Sequence, residues 1–156
     1  MNRLTLFTLA LLVLGNALSP AEARAARRAV IAIRVIYAVK DGAKSIDPAL
    51  DDIRGELEEL PASKFRLLDR ISTEVDEGAA VELQLPGDKS ISVRFTGVDQ
   101  VKGKRMLGLQ LALKPALKIS LRLADGGRTL IGGPVHLEGR LVLDVSARVE
   151  EKEDKK

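Results

Sequence analysis

The chain predicts a mostly-β (α+β) fold: an antiparallel β-sandwich or partial barrel with one packed helix near the N-terminus. Three observations carry that prediction. Apolar residues alternate with polar ones over several runs of five to nine residues between 64 and 149. Turn-forming Asp, Gly and Pro residues separate those runs. Only one segment, 47–60, carries its apolar residues at helical spacing behind a cap. Alternation gives a strand one wet and one dry face, and regular strands between turns fit a sandwich or barrel.

Taken in order, the chain begins with a short positive head ending at Arg3, then an apolar run, Leu4 to Leu14. Small residues follow, with overlapping A-x-A sites at Ala21-Glu22-Ala23 and Ala23-Arg24-Ala25. This order predicts a secretory signal peptide over residues 1–25, cleaved after Ala23 or Ala25. The apolar run is shorter than the roughly 20 residues that span a bilayer. Charges interrupt every later apolar stretch. No transmembrane segment is therefore expected in the mature chain, and the protein is expected in the periplasm or secreted.

Residues 30–39 (VIAIRVIYAV) are rich in β-branched side chains and apolar on both faces, which predicts a buried strand. Asp41-Gly42 signals a turn. Asp47 then offers an N-cap and Pro48 suits the first helical position. Leu50, Ile53, Leu57 and Leu60 form one apolar face over 47–60, with Glu56, Glu58 and Glu59 pointing largely away, and Pro61 ends the helix.

The period becomes two from Lys64. Phe65, Leu67, Ile71, Thr73 and Val75 are strand positions with a bulge expected near Leu68-Asp69. Val81 to Leu85 and Ile91 to Phe95 flank Pro86-Gly87-Asp88 as a hairpin. Leu107 to Leu113 and Leu117 to Leu123 are two further strands. Asp125-Gly126-Gly127 turns the chain into a short strand, Thr129 to Ile131, which Gly132-Gly133-Pro134 is expected to break. Leu141 to Val149 closes a single domain over 26–149, and 150–156 reads as a charged, disordered tail.

Composition narrows the function. There is no cysteine, so the domain must rely on its core. About 130 residues remain after cleavage, enough to bury two-thirds of the unfolded surface. The net charge of +3 falls to about +2 once Arg3, Glu22 and Arg24 are removed, and the charges are interspersed. With no cationic stripe and only Tyr37, Phe65 and Phe95 as mature aromatics, neither nucleic-acid binding nor a lectin-type sugar platform is expected.

No residue set reads as a catalytic, cofactor or metal site. His136 is the only histidine, which rules out a multi-histidine metal site, and no nucleophile elbow accompanies it; it reads as a surface or loop residue. The acids Asp47, Asp51, Asp52, Glu56, Glu58 and Glu59 lack the spacing of a calcium loop and read as capping and a solvated helix face. Glu74, Asp76 and Glu77 precede Gly78 as a turn signal, not as carboxylates facing across a cleft. The glycines at 126, 127, 132 and 133 lack a following Lys-Ser or Lys-Thr and read as turns. Arg128 beside them is a candidate contact for an anion or a partner. Phe65 reads first as a core anchor at the junction of helix and sheet. Phe65, Arg66, Arg128 and His136 are the candidate partner-contact residues.

The segments Asp47-Pro48, Leu60-Pro61 with Phe65-Arg66-Leu67-Leu68-Asp69, Leu85-Pro86-Gly87 and Leu130-Ile131-Gly132-Gly133-Pro134 together resemble a group of small, uncharacterised exported bacterial proteins. The resemblance covers most of the mature chain and implies a mostly-β, envelope-associated protein. It brings no catalytic residues. The expected role is that of a non-enzymatic binding or structural protein, acting on an envelope or secreted partner through its surface or an edge strand. The alternatives are a carrier of a small apolar ligand between the sheets, and a hydrolase using carboxylates or His136.

Overall fold

The computed structural model describes residues 27–114 and 117–151. The predicted signal peptide and the last five residues lie outside them. Among the described residues nine strands form two sheets. The first strand, β1, is Arg27–Val39, and β2 is Ser45–Ile46. A 3-10 turn, Pro48–Ile53, runs into α1, Arg54–Glu58. Strands β3 to β9 are Lys64–Asp76, Ala80–Leu85, Lys89–Val101, Lys104–Leu113, Leu117–Ala124, Arg128–His136 and Gly139–Glu151.

One sheet has the order β2-β3-β1-β9-β8 and the other β4-β5-β6-β7. Apart from the short parallel β2, every pairing is antiparallel. Strands β3 to β9 run in sequence order, and β9 returns to pair with β1. This is an up-and-down arrangement opened at two seams, between β3 and β4 and between β7 and β8. The predicted choice between sandwich and partial barrel thus describes two aspects of one architecture.

Alternation places Ala29, Ile31, Ile33 and Val35 of β1 on the inner face with Leu141, Leu143, Val145 and Ala147 of β9. They meet Ile91, Val93, Phe95, Leu107, Leu109 and Leu111 of the other sheet in one aliphatic core. The space between the sheets is filled by these side chains. A second cluster lies on the opposite face of the first sheet. There Ile36, Ala38, Phe65 and Val142 pack against Leu50, Ile53 and Leu57. β1 is apolar on both faces because it has a sheet on one side and a helical lid on part of the other.

The lid departs from the helix predicted over 47–60. Its first six residues are 3-10 and its α-helical part stops at Glu58. The apolar spacing explains this: Leu50 to Ile53 is three residues, the 3-10 repeat, and Ile53 to Leu57 is four. Asp47 caps the start as predicted, its Oδ1 accepting from Ala49 N–H at 3.0 Å. Its Oδ2 also accepts from Leu67 N–H at 3.2 Å, which pins the lid to β3.

Strand boundaries bring further corrections. The bulge expected near Leu68-Asp69 is present: Val35 pairs with Asp69 and Ile36 with Leu67, leaving Leu68 as the extra residue. β5 continues six residues past Phe95, with Thr96 as the extra residue of a second bulge. Gly132-Gly133-Pro134 does not end the short strand predicted at Thr129 to Ile131. It forms an irregularity inside β8, which resumes pairing at Val135 and His136. Proline is tolerated there because β8 is an edge strand and needs no donor on its free side. β9 likewise continues past Val149, where a disordered tail was expected. Glu150 and Glu151 pair with Arg28 and Arg27 of β1, and opposite charge across the ladder favours that pairing.

Candidate functional site

The four candidate residues fall into two places. Phe65, Arg66 and His136 lie toward one end of the first sheet, and Arg128 lies on its outer face beside the helical lid. Phe65 is only 4 % exposed and belongs to the lid cluster. It is the core anchor that its size implies, and partner contact cannot rest on it.

The end cluster is assembled across three strands. Arg66 on β3 pairs with Tyr37 on β1, and its guanidinium carbon stands 6.0 Å from the Tyr37 ring centroid. That is the outer limit of a cation–π contact. His136 on β8 meets the same ring edge-to-face, with centroids 5.7 Å apart and planes at 81°. Gly139, the partner of His136 on β9, leaves room for this: a Cβ there would come 2.2 Å from the Ala38 carbonyl oxygen and 2.9 Å from the tyrosine ring. A Cβ at Gly87, in the β4–β5 turn, would come 2.9 Å from His136 Nδ1. His136 is thus a wedge between the two sheets at their end, not a loop residue.

A groove of about 430 Å³ opens beside this cluster, lined by Tyr37, Lys64, Phe65, Arg66 and Glu138 among others. Glu138 belongs to the two-residue β8–β9 turn, Leu137-Glu138. The end of β8 and the turn expose apolar surface: Val135 is 64 % exposed and Leu137 74 %. Leu137 also has a φ of 50°, a left-handed conformation that a large side chain rarely adopts. An aliphatic residue here is unfavourable for both backbone and solvation, while glycine or asparagine would suit the turn better.

Arg128 belongs to a charge network that sequence reading did not assemble. Arg34 is its centre. On one side its Nε donates to Asp144 Oδ2 at 2.7 Å, and its Nη2 stands 2.6 Å from the same oxygen as an ion pair. On the other, its Nη1 and Nη2 donate to Asp52 Oδ1 and Oδ2 at 2.8 and 2.9 Å. Arg128 Nη1 donates to Asp52 Oδ2 at 2.9 Å. Hydrogen bonds from Arg34, with Arg128 adding to them, hold the Asp52 carboxyl well below the usual carboxylate range despite some desolvation. The same Asp52 bonds, reinforced by Asp144, raise the Arg34 pKa above its ordinary value. Asp144 is 4 % exposed, and its Oδ1 has no hydrogen-bond partner among the described residues.

Of the other acids singled out in sequence, four are engaged in structural pairs, and Glu56, Glu58 and Glu59 lie exposed on the lid. Arg28 bonds Asp76 at 3.0 Å and also Glu74; Arg27 meets Glu77 at 3.5 Å; Arg54 bonds Asp51. Among the described residues no three of His, Asp and Glu gather as metal ligands, and no helix is long and apolar enough to cross a membrane. No family model, curated protein or solved structure matches the chain. The fold and these two surface features therefore carry the functional argument.

Proposed function

We propose that this chain is an exported, non-enzymatic binding protein of the periplasm or the secreted pool. Its partner is an envelope or secreted protein that lays an extended segment along the edge strand β8. The observation that supports this reading is the β8–β9 tip. One aliphatic side chain, Val135, is exposed on the edge strand and another, Leu137, in the turn just beyond it in a left-handed conformation, and His136 between them is wedged against Tyr37. Folding gains nothing from such a tip, whereas a partner strand gains a rigid apolar ledge beside unpaired backbone. Main-chain pairing supplies affinity in this mode and the ledge supplies selectivity. The expected leader supports the cellular location, since it would carry the chain across the inner membrane.

Site-specific photocrosslinking in native envelope and culture fractions tests the reading. A crosslinker at position 137 is expected to give one discrete protein adduct. The same group at exposed Glu82 on β4 gives none, and Val135→Thr weakens the adduct at 137. Equal labelling from both positions, or none from 137, overturns the proposal.

A further inference from the structure

A second surface, on the outer face of the first sheet, has its own chemistry. Two rows of side chains cross the sheet there. The first reads Arg70 on β3, Arg34 on β1, Asp144 on β9 and Leu130 on β8. The next reads Ser72, Ala32, Ser146 and Arg128 on the same four strands. Directly paired residues share a face, so Ser72, Ala32 and Ser146 form a floor of small side chains. Arg70 and Arg128 stand at opposite corners, and Arg34 with Asp52 forms the wall toward the lid. The result is an open cleft of about 320 Å³.

The charges in this cleft do not balance. Arg34, Arg70 and Arg128 face two carboxylates, and Arg34 is bonded to both of them. Arg70 sits directly across the ladder from Arg34, a like-charge pair that is unfavourable without an anion. The Arg70 guanidinium has no hydrogen bond or ion pair among the described residues. The Ser72 hydroxyl has none either, and the Ser146 hydroxyl makes only a long 3.5 Å contact to Ala32 O. Uncommitted donors therefore rim a floor low enough for a ligand to approach.

We infer that this cleft binds a tetrahedral oxyanion of the phosphate type. Two serine hydroxyls would donate from the floor and two guanidinium groups from the corners. A tetrahedral anion offers acceptors in several directions at once, as this arrangement requires, and guanidinium geometry suits phosphate oxygens. The Arg34–Asp52–Asp144 triad acts as a rigid wall that fixes Arg128 at its corner. This site is separate from the hairpin tip and does not depend on strand addition there.

Calorimetric titration of the exported chain with inorganic phosphate tests the site, with sodium chloride holding ionic strength constant. Saturable one-to-one binding is expected, weakened at least tenfold by Arg70→Gln, with the thermal midpoint of the ligand-free protein not lowered, because Arg70 has no favourable partner to lose and faces Arg34 across the ladder. A Ser72→Ala, Ser146→Ala double variant is expected to weaken it as well. Sodium acetate, a planar carboxylate, is expected to bind at least tenfold more weakly than phosphate. Vesicles containing phosphatidic acid, compared with phosphatidylcholine alone, distinguish a lipid phosphate from a free one. Capture by the acidic vesicles that Arg70→Gln abolishes assigns a headgroup, and binding of free phosphate alone assigns the soluble anion. Failure to bind either phosphate source, equal binding of acetate, or phosphate affinity unchanged in Arg70→Gln overturns the inference.

Discussion

Arg34 interrupts the apolar run VIAIRVIYAV, and Asp144 interrupts LVLDVSA in the same way. Each is a lone charge in the middle of a strand destined for burial, and burial requires that such charges be paired. The two were therefore legible as partners from the sequence, but only once β1 and β9 were known to be neighbours. Asp52 was less legible, because capping and solvation already accounted for a helix acid. Removing one member of a buried pair leaves the other uncompensated. Asp144→Ala is expected to destabilise the fold by about 3 kcal/mol, read by urea denaturation. A loss below about 1 kcal/mol would show that Asp52 alone satisfies Arg34. Asp52 also sets a pH dependence. Its folded pKa is depressed, so its contribution is complete above the unfolded value of about 4. That contribution is lost progressively as pH falls below about 4. In denaturation series at pH 2 to 5, Asp52→Asn is expected to flatten the acid limb of the stability curve. An unchanged slope would mean that other carboxylates govern it.

At the scale of elements, turn chemistry and alternation read most of the strands correctly, as the Asp41-Gly42, Pro86-Gly87-Asp88 and Asp125-Gly126-Gly127 breaks show. Gly132-Gly133-Pro134 misled because the same residues that stop an inner strand merely bend an edge strand, and edge position is a tertiary property. The β5–β6 turn at Lys102-Gly103 was less distinct, so β5 reads short in sequence. The lid was legible by its cap and apolar spacing, although that spacing called for a mixed 3-10 and α segment. Leu57 is fully buried against Ile36 and Phe65 in the lid cluster, and Leu57→Ala is expected to cost about 3 kcal/mol. The hairpin tip gives a prediction of opposite sign. Leu137→Asn relieves a left-handed leucine and exposed apolar surface, so it is expected to stabilise the chain by about 1 kcal/mol. The same change is expected to abolish the crosslinked adduct when the probe is moved to position 135. Stability gained while binding is lost would separate a recognition element from a structural one; lost stability would mean that Leu137 packs in solution.

The whole molecule is organised by one closure. Of the six pairings that do not involve β2, five join neighbours in sequence or bridge the lid, but β1 meets β9 across the length of the domain, from Arg27↔Glu151 to Ala38↔Arg140. That closure aligns Ile31, Ile33 and Val35 with Leu143, Val145 and Ala147 at the centre of the core, and it brings Arg34 to Asp144. Neither the core nor the charge network is complete until the two ends of the domain meet. Loop closure over such a span must precede the contacts that reward it, so topology opposes fast folding. Refolding from urea is expected on the millisecond-to-second scale, the range of all-β two-state domains. Val145→Ala tests whether the closure is rate-limiting. If β1–β9 pairing is already formed in the transition state, this variant slows folding by most of its equilibrium loss and leaves unfolding almost unchanged. If the β4-β5-β6-β7 meander forms first and the ends dock later, the loss falls on unfolding instead. Leu109→Ala, in the middle of that meander, would then carry the folding effect. The two variants measured side by side by stopped flow decide which sheet organises the other.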